Sequence, residues 1–256
     1  MGNVICVANL REKTGRTCTA VNFAASLALL DKRVLLVDCD ASGRASACLG
    51  FADGSYEFGL DDFLTGIVGA RAVVKGTGLD GLDLIPAGAS LGAIESELKY
   101  NPDKEKVLSI ILGKFRMAYD IIVFDTPADT GLLTRSALLA CDSLLIPAQL
   151  APETLGDLNR LLGFASDARK GLGTPLKISG ILFMNCPDSD RISSYYANNE
   201  LKDFKQAVYP VTIPEKTLGM DWDAMAGPMC LKDIKSPLAE AFLDLSYEFL
   251  YRENIQ

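Results

Sequence analysis

Six short apolar runs recur along the chain, at 3–8, 33–37, 82–85, 121–124, 143–147 and 178–184, and none shows the in–out alternation of a half-exposed strand. A strand that is apolar at every position must be covered on both faces, as in a parallel sheet layered between helices. Helix-forming stretches lie between the runs near 17–31, 57–66, 103–117, 132–140 and 152–171, with a last one at 237–251. The strand–helix–strand order predicts an α/β fold with a doubly wound, mainly parallel sheet flanked by helices. Apolar residues make up 49% of 256, enough for a large core, and no repeat or linker interrupts them. Residues 1–256 therefore read as a single domain. In such sheets ligands sit beyond the carboxyl ends of the strands, here after Ala8, Val37, Phe124 and Met184.

Several function classes are excluded early. The chain has no histidine, which removes Ser-His-Asp and Cys-His catalysis and imidazole-based zinc sites. Its seven cysteines contain no Cys-x-x-Cys pair and several lie within apolar runs, as expected of buried, reduced thiols. No haem, flavin or iron–sulfur cluster is expected. No apolar run reaches the length of a membrane span, and the start reads as a strand rather than a leader, so a cytoplasmic location is expected. Net charge is −8, which disfavours a broad nucleic-acid surface and leaves a local patch at Arg160, Arg169, Lys170 and Lys177. The final stretch places Phe242, Leu245 and Phe249 at helical spacing in an acidic context, the pattern of a helix packed on the sheet rather than a membrane anchor.

Three segments carry the chemistry. After the first run comes Asn9-Leu10-Arg11-Glu12-Lys13-Thr14-Gly15-Arg16-Thr17-Cys18-Thr19, a loop that opens a helix. Such a junction presents unpaired N–H groups to a phosphate, and Thr17 has a hydroxyl suited to magnesium. Asp38 and Asp40 end the second run two residues apart, so the period of a strand predicts that both face the loop. One would orient water and the other hold magnesium or its water shell. Asp125 closes the apolar run Ile121-Ile122-Val123-Phe124, as in the Walker B arrangement.

Together these segments strongly resemble the ParA/Soj branch of the ParA/MinD deviant Walker A P-loop ATPase family, over nearly the whole chain. Ala8, Asn9, Gly15, Thr17, Thr19, Ala20 and Asn22 match the family's opening. Val34 to Asp38, Asp40, Gly43, Ala45 and Ser46 match its second strand and the turn beyond. Later segments match at Gly81 to Ala87, Asp125-Thr126-Pro127, Gly131 to Thr134 and Ile213-Pro214. The resemblance implies a P-loop NTPase-like fold, with ATP and Mg2+ as the ligands of the site. It implies phosphate contacts from Arg11, Glu12, Lys13, Thr14, Gly15, Arg16, Thr17 and Cys18, and an adenine-side loop that includes Pro214. Thr17, Asp38 and Asp125 stand on the metal side and Asp40 assists hydrolysis. It also implies a homodimer in which Arg11 reaches the partner's phosphates, a ParB-like or other regulatory protein partner, and non-specific DNA as a possible surface. No membrane partner is implied.

The departures fall on the loop. Arg11 stands where the family has its signature lysine, Glu12 and Lys13 where it has glycines, and Arg16 where it has the P-loop lysine. Arginine keeps the charge, but its planar fork is larger than an ammonium, so Arg16 is expected to displace the phosphate or to sit outside the loop. Glu12 brings a carboxylate toward an anionic ligand. It is expected to pair with Lys13, Arg11 or Arg16 and hold the loop shut. If a replaced glycine had positive φ, a side chain there costs about 1–2 kcal/mol. Two readings stay open: a partition or positioning ATPase with weakened or lost turnover, and a non-catalytic ParA-like protein that regulates or scaffolds a partner without ATP.

Overall fold

The computed structural model describes residues 1–52, 54–170, 172, 176–186, 202–214 and 227–255. Its eight strands are β1 (Asn3–Val7), β2 (Val34–Asp38), β3 (Lys75–Gly76), β4 (Leu82–Ile85), β5 (Ile121–Asp125), β6 (Ser143–Gln149), β7 (Lys177–Cys186) and β8 (Val208–Pro214). They form one sheet in the order β3-β4-β2-β5-β1-β6-β7-β8. Every pairing is parallel except the short β3–β4 edge. All six expected strands are present within two residues at each end. Two further strands, β3 and β8, occupy the edges and were not expected.

The sheet explains the continuous apolar runs. Successive strand residues point to opposite faces. Val4, Cys6, Leu35, Val37, Ile122 and Phe124 join one core, whereas Ile5, Val7, Val34, Leu36, Ile121 and Val123 join the other. On the second face lie α1 (Arg16–Leu29) and the C-terminal helix (Pro237–Glu253). Phe23 and Phe249 meet there edge to face with centroids 5.1 Å apart. The C-terminal helix is thus packed by Phe242, Leu245 and Phe249, all fully buried, as its spacing predicted. The short helices α2 (Arg44–Cys48), α3 (Leu60–Leu64), α4 (Ala70–Val73) and α5 (Ile94–Glu97) precede α6 (Val107–Phe115), α7 (Leu132–Ala140) and α8 (Thr154–Ala168), which cover the first face.

Position 180 on β7 shows how closely the far edge is packed. A Cβ built on Gly180 would stand 2.1 Å from the ring of Tyr209, which is fully buried and whose hydroxyl lies 2.8 Å from Ser179 Oγ. Overpacking of a well-filled core costs about 1–3 kcal/mol. Gly180→Ala is therefore expected to lower the unfolding free energy by that amount and to shift the urea midpoint down accordingly; an unchanged midpoint would show that β8 moves freely against β7.

Candidate functional site

The loop between β1 and α1 is fixed from both ends. Asn9 is buried, donates from Nδ2 to the Pro147 carbonyl at 2.9 Å and accepts from the Arg11 amide at 3.0 Å. Gly15 caps α1 at φ 87° and a Cβ there would stand 2.7 Å from Met184 Cε, so glycine is needed for both conformation and space. The other left-handed residue in the loop is Lys13, at φ 58°. The expected strain therefore falls on Lys13 and not on Glu12. The Lys13 carbonyl accepts from Gln149 Nε2 at 3.0 Å, which holds this conformation. α1 carries no acidic residue in its first turn, so the unpaired N–H groups of that turn face no competing carboxylate on the helix.

Arg16 takes a course that was not expected. It stays within the loop and contributes to the wall of the cavity beside it. Its guanidinium turns back onto three carbonyls: Nε donates to Thr126 at 2.9 Å, and Nη1 donates to Asn9 at 3.0 Å and to Arg11 at 2.8 Å. It ties the loop after β1 to the residue after β5. Burial lowers its pKa, while Asp125, Asp40, Asp129 and Glu12 act to raise it. Glu12 is exposed and makes no ion pair among the described residues, so the expected latch to Arg11, Lys13 or Arg16 is absent. Arg11 instead pairs within its own chain to Asp157 at 3.2 Å and Glu153 at 3.5 Å on and beside α8.

The carboxylates divide the work differently from the sequence expectation. Asp38 and Asp125 stand opposite one another in the β2–β5 register, both fully buried. Asp38 does not face the loop openly: Oδ2 accepts from the Ser46 amide at 2.8 Å and hydroxyl at 2.7 Å, and Oδ1 accepts from the Asp40 amide at 3.2 Å. Burial pushes its pKa up to about 6 against these hydrogen bonds. Asp40 is half-buried and accepts from the Ser42 amide at 2.9 Å. Asp125 has no hydrogen-bond partner on either oxygen. Burial first, and Asp38 second, hold its carboxyl well above the usual range. Thr17 and Arg16 favour its ionised form, although the Thr17 hydroxyl closes no bond of ordinary geometry.

A buried carboxylate without a partner is a site for a cation. Among the described residues no three Asp, Glu, Cys or His side chains converge on a metal by themselves. That suits magnesium, which takes one or two protein ligands and fills the rest with water and phosphate. Asp125 and the Thr17 hydroxyl fit this role; Asp38 fits a supporting one.

Beside the loop lies a cavity of 420 Å³ lined by Lys13 to Cys18 and by Val21, Asn22, Arg44, Cys48, Gln149 and Asn185. The last six were not among the expected phosphate-contact residues. Gln149 and Asn185 sit at the ends of β6 and β7, and the rule of strand carboxyl ends had marked the position after Met184. Asn185 is left-handed at φ 58°, and its side-chain oxygen is buried without a partner. Pro214 ends β8 opposite Cys186 and does not line this cavity. Of the four residues that the sequence places near the expected adenine-side loop, Trp222, Met220 and Met225 lie outside the described residues, and Met229 begins the short helix Met229–Lys232. Of the expected basic patch, Arg169 donates to the Leu138 and Cys141 carbonyls and Lys177 pairs with Glu253, so neither presents a simple exposed charge.

Comparison with known proteins bears on the family and the fold. A family model described as an AAA domain matches residues 2–178. The sporulation initiation inhibitor protein Soj of Bacillus subtilis is 34% identical over 97% of this chain and 98% of its own length. The chromosome partitioning protein ParA of Myxococcus xanthus is 32% identical over 99% and 89%. Among solved structures, cobyrinic acid a,c-diamide synthase of Mycobacterium smegmatis with bound ADP and magnesium is 26% identical, with a TM-score of 0.83 over 100% of this chain and 96% of its own.

The orphaned carboxylate has a thermodynamic consequence. A carboxyl whose folded pKa is raised binds its proton more tightly when folded, so it costs stability once pH exceeds the unfolded value of about 4. For Asp38 that loss accumulates up to about 6. For Asp125 it extends in the same direction. Asp125→Asn is expected to stabilise the ligand-free chain at neutral pH by about 1–3 kcal/mol, with the gain fading in acid. Paired denaturation curves across pH measure it; a destabilised variant at neutral pH would show that the carboxylate is already satisfied.

Proposed function

The chain belongs to the ParA/MinD family of P-loop ATPases, and from that premise we propose that it is a ParA-like partition or positioning protein whose rewritten loop weakens or abolishes nucleotide turnover. Plasmids, chromosomes or protein assemblies are the class of cargo, and a homodimer with a ParB-like regulatory partner is the working unit. The observation that carries the proposal is the buried Asp125 carboxylate beside Thr17, at the foot of a helix whose first N–H groups are open. No helix among the described residues is long and apolar enough to cross a membrane. A cytoplasmic location suits the seven reduced, buried cysteines.

In this reading the α1 N–H groups and Lys13 receive the phosphates of ATP. Thr17 and Asp125 hold Mg2+, which neutralises the phosphate charge when bound. Asp38 fixes Ser46 and Asp40 through its hydrogen bonds, and Asp40 orients the attacking water. Arg11 leaves Asp157 and Glu153 to meet the partner's phosphates. Arg16 is the weak point. Its charge is spent on three carbonyls, so the transferred phosphoryl group loses the cation that a P-loop lysine supplies. The same observation favours the second reading, a non-catalytic ParA-like protein that regulates or scaffolds a partner without ATP.

Phosphate release measured alongside nucleotide binding separates the two readings. Arg16→Lys is expected to raise turnover at least about tenfold, equivalent to ~1.4 kcal/mol of barrier, and Asp40→Ala to abolish release while nucleotide still binds. Binding without any gain in Arg16→Lys would place the defect elsewhere in the loop.

Arg11 is tested separately. Its ion pairs are solvent-exposed, and such pairs contribute little to stability. Arg11→Ala is thus expected to leave monomer stability almost unchanged and to remove ATP-dependent dimerisation in sedimentation. A dimer that persists with ATP would remove Arg11 from the interface.

A further inference from the structure

A second cavity lies at the other end of the sheet from the phosphate loop. It occupies 380 Å³, within the range of about 300–1,000 Å³ in which proteins hold small molecules. Its walls include Asn3 at the start of β1, Arg33 just before β2, Arg116 and Asp120 on the approach to β5, and Glu253 at the end of the C-terminal helix. Backbone bonds fix the strand ends: the Gly2 amide donates to the Arg116 carbonyl at 2.8 Å, Asn3 to Asp120 at 2.9 Å and Asp120 to Arg33 at 2.8 Å. Three polar atoms in these walls are buried and have no hydrogen-bond partner among the described residues: Asn3 Oδ1, Arg116 Nε and Glu253 Oε1. The Glu253 side chain is only 5% exposed. Buried polar atoms are ordinarily bonded, so three in one wall call for a ligand.

The charges of the walls are already balanced. Lys177 Nζ donates to Glu253 Oε2 at 2.7 Å, Arg116 Nη2 reaches both oxygens of Asp142 at 2.6 Å, and Arg33 pairs with Asp120 through two bonds of 2.8 and 3.1 Å. What remains open is one cationic donor and two acceptors, one of them anionic. A lone anion would also meet Glu253 and Asp120, and a lone cation would also meet Arg33 and Arg116. A ligand that carries an ammonium and a carboxylate close together answers all three atoms. We propose that this cavity binds a small zwitterion of the α-amino acid class. The ligand's carboxylate accepts from Arg116 Nε, and its ammonium donates to Glu253 Oε1 and Asn3 Oδ1. All three side chains can rotate to present these atoms. Met117 and Ile255, which also line the cavity, supply apolar contact. The site lies away from the phosphate loop, and its assignment does not depend on a nucleotide being bound there.

Thermal unfolding of the full-length chain, measured with each standard L-amino acid at about 10 mM, tests the site, since a ligand of the folded state raises the midpoint. At least one amino acid is expected to raise it saturably. The matching amine without the carboxylate and the matching acid without the ammonium (ethylamine and propionate for alanine) are expected not to. Glu253→Gln keeps the shape and removes the charge, and is expected to weaken that amino acid at least about tenfold. Asn3→Ala is expected to weaken it less. Should Glu253→Gln fail to fold, Asn3→Ala and the two ligand fragments on the unaltered chain decide. No response to any amino acid, an equal response to either fragment alone, or unchanged affinity in a folded Glu253→Gln variant overturns the proposal.

Discussion

Asp125 stands at the carboxyl end of a central parallel strand, fully buried, with neither oxygen bonded and a second carboxylate, Asp38, opposite it in register. Few arrangements in a folded protein are less favourable without a ligand, because desolvation and like-charge repulsion act in the same direction. The surrounding structure is arranged around that point. β1 brings the loop beside Asp125, and Thr17 in the first turn of α1 adds a hydroxyl.

Arg16 modifies this economy from the other side. A lysine at that position would be held as a point charge toward the ligand, whereas the arginine fork matches carbonyls and finds two of them within the loop and a third on Thr126. The loop is therefore stiffened by Arg16. Arg11 is also engaged at home, on Asp157 and Glu153. Of the three cations of the loop, Arg11 and Arg16 are committed to the chain's own groups. Any ligand must displace them or do without them.

Much of the fold was legible because parallel strands buried on both faces leave no polar positions, and the six runs are short and separated by helix-length intervals. β8 escaped notice because Pro210 and Pro214 speak against a central strand; as the edge strand it tolerates them. β3 is only two residues long. The positions of Asp38, Asp40, Asp125, Thr17 and Gly15 at strand and helix ends followed from the sequence. Their bonding did not. Period two placed Asp38 and Asp40 on one face, but Asp38 lies inside the strand and turns to Ser46, while Asp40 has left it and closes a turn at Ser42. The course of Arg16 depends on carbonyls contributed by residues 9, 11 and 126, a tertiary arrangement that no local pattern encodes. Gln149 and Asn185 belong to the same class, since only the sheet order brings the ends of β6 and β7 beside the loop.

The central claim is that Asp125 and Asp38 form a cation-deficient carboxylate centre that magnesium and a nucleotide phosphate complete together. Calorimetric titration of the full-length chain with ATP, in matched buffers with magnesium and with a chelator, tests it most directly. The account predicts binding that requires magnesium and releases protons as the raised carboxyls ionise. Binding of equal strength in the chelator, or no binding with magnesium present, would contradict it.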